Sequence, residues 1–351
     1  MHKIFSTKLA IAIITLLVLA FSSCSDNDVN LNDLDETIFV RHKKADMPAY
    51  IHGNGSEKVF LIILHGGPGE DGLQYRLNTI QSELERNYAV VYFDQRGSGN
   101  SQGSYAAKDV TIDLMAEDVL ALAKVIKAKY GEDSKLFLMG HSWGGLLGTA
   151  TILKGQQDFL GWIYMDGVHD PKGAYAQYKV TLKAKAEEQI ALSHSVDFWQ
   201  EVIDLIAEVG ADFSLSDYYK LNSKAILAGQ KLIDDNVINA TQVDFGDQFV
   251  LNNTIKLLWN KIKIGDIMDV QNDIWGTLSY THRLHEITIP SLILWGRHDM
   301  VTPLEIGQEA FDLYGSADKE IFILDKSGHA PFATQPDRFA DYVMSFINRH
   351  K

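Results

Sequence analysis

Leu136-Phe137-Leu138-Met139-Gly140-His141-Ser142-Trp143-Gly144-Gly145 decides how the rest of this chain is read. An apolar run with the character of a buried parallel strand breaks off into Gly-His-Ser-Trp-Gly, and a helix-compatible segment, Leu146 to Leu153, follows at once. Strand, tight turn and helix around Gly-x-Ser-x-Gly form the nucleophile elbow pattern. The turn forces the serine backbone into a strained conformation, so side chains two residues to either side must be minimal. Gly140 and Gly144 meet that need, and Gly145 lets the helix approach the strand. The Ser142 hydroxyl is then presented above the sheet edge, at the positive end of the following helix. A bare Gly-x-Ser-x-Gly is also an ordinary Gly-rich turn, so the reading depends on partners elsewhere in the chain.

Those partners occur downstream in the order serine, acid, histidine. Ser291-Leu292-Ile293-Leu294-Trp295 runs into Gly296-Arg297-His298-Asp299, and Ile321-Phe322-Ile323-Leu324 runs into Ser327-Gly328-His329-Ala330. Both candidates sit just past the carboxyl end of a strand, where open α/β sheets build their sites. His329 is expected to take the proton from Ser142, with Asp299 fixing the imidazole tautomer and stabilising its charged form. Upstream, Val59 to Leu64 is a continuous apolar strand followed by His65-Gly66-Gly67-Pro68-Gly69. An oxyanion needs two backbone N–H groups. Trp143 supplies one; Pro68 has none to give, so Gly67 is expected to supply the other.

His65-Gly66-Gly67-Pro68-Gly69, Asp94-Gln95-Arg96-Gly97-Ser98-Gly99 and Gly140-His141-Ser142-Trp143-Gly144-Gly145 together resemble the proline iminopeptidase family of α/β-hydrolases. The segments around Asp299 and His329 fit the same likeness, which covers roughly residues 55 to 170 and 285 to 350. It implies an α/β-hydrolase fold with a mostly parallel eight-stranded sheet, an inserted helical cap, and hydrolysis of short peptides from a free amino terminus. It also implies cap glutamates that hold the substrate's ammonium, beside an aromatic motif of the Trp-x-x-Trp-Glu kind. This chain departs from that motif, offering Phe198-Trp199-Gln200-Glu201 with Glu187, Glu188 and Glu208. Glu201, and His169 and Asp170 at the cap entrance, are carried as candidate substrate contacts; His169 and Asp170 read equally well as a hydrogen-bonded turn before Pro171.

The pattern outside the motifs divides the chain. Lys3 and Lys8 accompany an apolar run, Leu9 to Phe21, of signal-peptide length. It ends in Phe21-Ser22-Ser23-Cys24, and Cys24 is the only cysteine. Small residues before a lone cysteine resemble a bacterial lipobox, so residues 1–23 read as a lipoprotein signal and Cys24 as the acylated first residue, anchored in a bacterial cell envelope. The alternative is an ordinary secreted protein with an idle thiol. Each buried CH₂ of an acyl chain contributes about 0.8 kcal/mol, so two chains suffice to anchor. Residues 24–36 are acidic and poor in apolar side chains, as expected of a tether. Residues 37–170 and 287–351 carry alternating strand and helix signals, the mark of a parallel sheet. Tyr88 to Phe93 and Phe159 to Met165 are further buried strands, Thr37–Val40 and Ala49–Ile51 short antiparallel ones. Leu77 to Arg86, Thr111 to Lys129, Leu304 to Tyr314 and Pro336 to Asn348 have helical spacing. Residues 171–286 break the alternation with helical periodicity (Phe198, Val202, Leu205, Ile206, Val209) and read as the cap, inserted after the sixth strand.

Composition narrows the function. The net charge of −14, with no basic stripe, argues against nucleic acid. The Gly-rich loop lacks the lysine of a phosphate cradle, and no His, Cys and acidic residues recur at metal-ligand spacing. No cofactor or metal is expected. Serine with a histidine base means acyl transfer to water on a small-molecule or short-peptide substrate. Three readings follow: an aminopeptidase, a carboxylesterase or other small-acyl hydrolase, and a surface binding protein that keeps the fold without turnover.

Overall fold

Two lysines turn the first hairpin. Lys43 and Lys44 both have positive φ (39° and 67°), the geometry that matches the right-handed twist of paired strands. The strands they join, β1 (Leu34–His42) and β2 (Ala45–Gly53), are antiparallel and longer than the sequence signals. Arg41 and Asp46 close the turn with an ion pair at 2.6 Å. Residues 34–36, expected in the tether, therefore belong to the fold. Alternation explains the difference: Leu34, Ile38 and Val40 are buried on one face of β1, and Asp35, Thr37 and Phe39 face out on the other.

The computed structural model describes residues 30–105, 110–241 and 274–351. Cys24 and the apolar run before it lie outside the described residues, as does part of the expected cap. Residues Asn32–Lys351 form one compact unit. Among the described residues no helix is long and apolar enough to cross a membrane.

The remaining long strands are β3 (Val59–Leu64), β4 (Ala89–Phe93), β5 (Lys135–His141), β6 (Gly161–Met165), β7 (Ser291–Gly296) and β8 (Lys319–Leu324). The sheet runs β1-β2-β4-β3-β5-β6-β7-β8; a two-residue strand, Gln102–Gly103, pairs with β2. All pairings from β4 through β8 are parallel. Their continuous apolar character has a physical cause, since both faces are covered. On one face Val59, Leu61, Ile63, Phe137 and Met139 join Leu84, Phe339 and Val343 in one core cluster. The alternate residues Phe60, Ile62, Leu136 and Leu138 are equally buried.

Crossovers are helical. Helix α1 (Ile112–Tyr130) buries Met115, Val119, Leu122 and Ile126, the residues whose spacing signalled it, and Thr111 caps it by accepting from the Leu114 N–H. Residues Ile80–Glu85, expected to be α-helical, form a wider π-helical turn. Helix α2 (Trp143–Gly155) leaves the elbow. The described part of the cap holds α3 (Pro171–Ala191), α4 (Val196–Glu208) and α5 (Leu215–Asp234), with a short turn at Ile274–Thr277. Trp199 and Val202 are buried on α4, Tyr178 and Leu182 on α3. Helices α6 (Leu304–Leu313) and α7 (Pro336–His350) complete the core.

Register places the site. Leu64 pairs with Gly140, His141 with Met165, Met165 with Leu294, and Gly296 with Leu324. Strands β3, β5, β6, β7 and β8 therefore end side by side, and whatever follows each of them meets the others.

Candidate active site

Ser142 has φ 55° and ψ −121°, a conformation rare for a residue with a side chain. The tight turn is held only because its neighbours are glycines. A Cβ on Gly140 would collide with the Gly144 carbonyl, and one on Gly144 with the Leu64 carbonyl. The turn aims Ser142 Oγ at His329, 2.9 Å from Nε2. On the other side of the ring, Nδ1 lies 2.8 Å from Asp299 Oδ2. A carboxylate only accepts, so Nδ1 carries the proton and Nε2 is left to accept from the serine hydroxyl.

Asp299 is fixed by its own turn. Its Oδ1 accepts from the N–H groups of Val301 (2.7 Å) and Thr302 (2.9 Å), and its Oδ2 accepts from Thr302 Oγ1 (2.6 Å). Burial pushes this carboxyl up, but the His329 imidazole and the bonds from His329 and Thr302 outweigh it, and its pKa lies below the usual range. It stays charged at neutral pH.

The two expected N–H donors also meet here. Trp143 is the first residue of α2, so its N–H has no partner within the helix. Gly66 and Gly67 follow β3. The Gly66 N–H is engaged by Tyr75 Oη at 2.9 Å, and Gly67 follows it at φ 114°. Gly67, Ser142, Trp143 and His329 line one cavity of about 260 Å³, walled by Tyr178, Tyr218 and Trp275 of the cap.

Several supporting residues have no signal of their own in the sequence. Tyr75 Oη donates to His141 Nδ1 (2.6 Å), and His141 Nε2 donates to the His329 carbonyl (2.6 Å). Burial first, and the neighbouring His329 next, hold His141 down at about 3, so it is a neutral link. Gln95 donates to the His65 carbonyl (2.9 Å) and accepts from Trp143 Nε1 (2.9 Å). Arg96 forms a fully buried pair with Asp118 of α1 at 2.7 Å. The Asp-Gln-Arg-Gly motif is thus a brace between the glycine loop, the elbow and α1. Asp166, directly after β6, is buried behind Asp299 and accepts from the Gly296 N–H at 2.8 Å. Burial and then the Asp299 charge raise its pKa well above the ordinary carboxylate value.

The candidate substrate contacts are placed elsewhere. His169 is buried between Tyr164 Oη (3.1 Å) and Glu309 (2.9 Å), and Asp170 caps α3 by accepting from the Gly173 N–H (2.9 Å). Both line a separate cavity without Ser142. Glu201 is exposed on α4 and paired with Lys224 at 2.7 Å. Glu187, Glu188 and Glu208 are likewise exposed and paired with Lys183, Lys185 and Lys220. These charges face water because lysines a turn away or on the next helix satisfy them there. No described cap carboxylate lines the Ser142 cavity. Among the described residues no group of His, Cys, Asp and Glu is arranged to hold a metal.

A model of the alpha/beta hydrolase fold family matches residues 59–336. A probable aminopeptidase, YbaC, of Bacillus subtilis is 23% identical over 309 residues, 86% of this chain and 92% of its own. A proline iminopeptidase of Saccharolobus solfataricus is 27% identical over 295 residues, 82% and 84% of the two chains. The crystal structure of a proline iminopeptidase-related protein from Thermus thermophilus superposes with a TM-score of 0.62 at 20% identity, covering 90% of this chain and 98% of that one.

Proposed function

We propose, on the premise that this chain belongs to the α/β-hydrolase fold family, that it is a serine hydrolase working through an acyl-enzyme, and within that class an aminopeptidase that releases the first residue of short peptides. The observation that carries the hydrolase is the chain Asp299–His329–Ser142, at 2.8 and 2.9 Å, standing on the ends of three strands. His329 Nε2 takes the hydroxyl proton as Ser142 Oγ attacks the carbonyl carbon. The N–H groups of Gly67 and Trp143 receive the oxyanion. His329 then gives the proton to the departing amine, and a water activated by the same imidazole hydrolyses the ester. Asp299 stabilises the imidazolium in both halves. The peptide reading is supported by likeness to the two named relatives over more than four-fifths of the chain. The cavity is walled by the aromatic rings of Tyr178, Tyr218 and Trp275.

A fluorophosphonate probe is expected to label the protein, and Ser142→Ala to abolish labelling and turnover without lowering the melting temperature. Labelling that survives in the alanine variant refutes the nucleophile. A panel of aminoacyl arylamides against short-chain esters then separates the classes. Faster cleavage of esters leaves an esterase on the same machinery.

The anchor belongs to the same proposal. Phe21-Ser22-Ser23-Cys24 supports acylation at Cys24 and attachment to a bacterial envelope membrane, with the acidic segment after it as tether.

A further inference from the structure

We infer that Glu70 receives the substrate's α-ammonium, so that the free amino terminus is read by the glycine loop of the core. The inference rests on the aminopeptidase reading and names the residue that gives it its specificity. Glu70 follows His65-Gly66-Gly67-Pro68-Gly69 directly and is the one carboxylate among the described residues that lines the cavity with Ser142 and His329. Its neighbour Asp71 is buried and caps the next turn by accepting from the Gln74 N–H at 3.1 Å. Asp71 thus caps a turn, and Glu70 borders the cavity that holds Ser142 and His329.

The geometry suits an ammonium two bonds from the attacked carbon. A Cβ placed on Gly66 would stand 3.3 Å from Ser142 Cβ, 3.3 Å from Tyr75 Oη and 3.4 Å from Glu70 Oε2, so Ser142 and the Glu70 carboxylate approach the same point of the glycine loop. The position is held from behind, since the Glu70 carbonyl accepts from the Gly99 N–H at 2.9 Å. Its charge is felt across the loop: after burial, Glu70 is the largest cause of the raised pKa of the Tyr75 hydroxyl.

Electrostatics turns this placement into selection. A carboxylate beside the glycine loop opposes the negative charge that grows on the substrate oxygen during attack. An α-ammonium between them cancels that opposition and donates to Glu70; an acetylated amine or a simple acyl chain does neither. One side chain thus favours the free terminus and disfavours its competitors. A hydrogen bond to a charged group is worth about 10- to 100-fold in such a comparison.

The test compares kcat/KM on alanyl p-nitroanilide and its N-acetyl derivative, in the full chain and in Glu70→Gln and Glu70→Asp. Fluorophosphonate labelling reports that each variant keeps an assembled site. Glu70→Gln is expected to lower the free-to-acetylated ratio about 10- to 100-fold, partly through faster cleavage of the acetylated substrate. Glu70→Asp, which retracts the charge by one methylene, should fall between, and it carries the test alone if the glutamine variant does not fold. A wild type that prefers the free amine, with that preference intact in the variants, overturns the role of Glu70 and leaves the aminopeptidase standing. A wild type with no such preference overturns both.

Discussion

Replacing Tyr75 by phenylalanine tests whether the glycine loop and the elbow are tied together as the hydrogen bonds indicate. Tyr75 is 3% exposed, and its hydroxyl serves two buried groups: it accepts from the Gly66 N–H and donates to His141 Nδ1. Phenylalanine keeps the ring, which packs on Phe332 at 5.1 Å, and removes only the oxygen. The gap left is too small for a water with several partners. Two buried polar groups lose their partners, at about 1–3 kcal/mol each. The sum, about 2–6 kcal/mol, corresponds to a melting temperature lowered by about 3–9 °C in a domain of this size, at about 2.1 cal/mol/K of unfolding entropy per residue. The loop carrying the Gly67 N–H also loses its link, through His141, to the His329 carbonyl. Removing an oxyanion donor outright lowers kcat by about 10²–10³, so loosening one is expected to lower it by about tenfold. Thermal unfolding followed by circular dichroism and kcat on one arylamide are measured in parallel. Tyr88→Phe is the control, because its hydroxyl bonds Asn348 at 3.0 Å away from the cavity; kcat should be unaffected there. A Tyr75→Phe protein that melts and turns over like the wild type refutes the reasoning.

The buried groups also set how stability responds to acid. Folding lowers His141 from 6.5 to about 3, so the unfolded chain binds more protons in that window and stability is lost as pH falls from about 6.5 toward 3. Asp94, raised from 3.8 to about 7 by burial, works in the opposite direction: its contribution is present at low pH and lost as pH rises toward 7. Asp94→Asn should therefore steepen the acid loss, and His141→Gln should flatten or reverse it, in urea unfolding at pH 4, 5.5 and 7; unchanged slopes in both variants contradict the assignments. Expressed in a bacterium, the protein should incorporate palmitate and Cys24→Ala should abolish incorporation, whereas an unmodified Cys24 in the mature chain refutes the anchor.

What the sequence discloses depends on how local the constraint is. The elbow is legible because Gly140, Ser142 and Gly144 answer to one turn, and its demands fall within five residues. Asp299 and His329 are legible because each follows an apolar run that must be a strand, and parallel strands end together. The hairpin is less so: Lys43-Lys44 is no turn signal, and only the pairing of β1 with β2 holds both at positive φ. Tyr75 and Asp166 carry no local signature at all, and the motif around Gln95 shows a likeness without showing its role. Their roles exist only once β3, β4, β5, β6 and β7 lie side by side, which turns residues 9 to 130 positions apart into hydrogen-bond partners.

The cap marks the point where periodicity stops informing function. A helical spacing of apolar residues says that α3, α4 and α5 each bury one face, and they do. It does not say which buried rings face Ser142 and which face another helix. Trp199, within the Phe198-Trp199-Gln200-Glu201 stretch that departs from the family's motif, is fully buried on α4 and is not among the residues lining the cavity. The cavity wall is instead Tyr178, Tyr218 and Trp275, with Tyr218 stacked on Trp275 at 5.5 Å and Trp275 against Trp143 of the elbow at 5.8 Å. Charged cap residues reach solvent lysines, and aromatic ones reach the substrate space. Among the described residues the cap therefore supplies shape, while the groups placed to act on charge, Glu70 included, come from the ends of the core strands. Substitutions at Tyr178 or Tyr218 should then change which first residue is accepted, and leave the discrimination between free and blocked amines to the glycine loop.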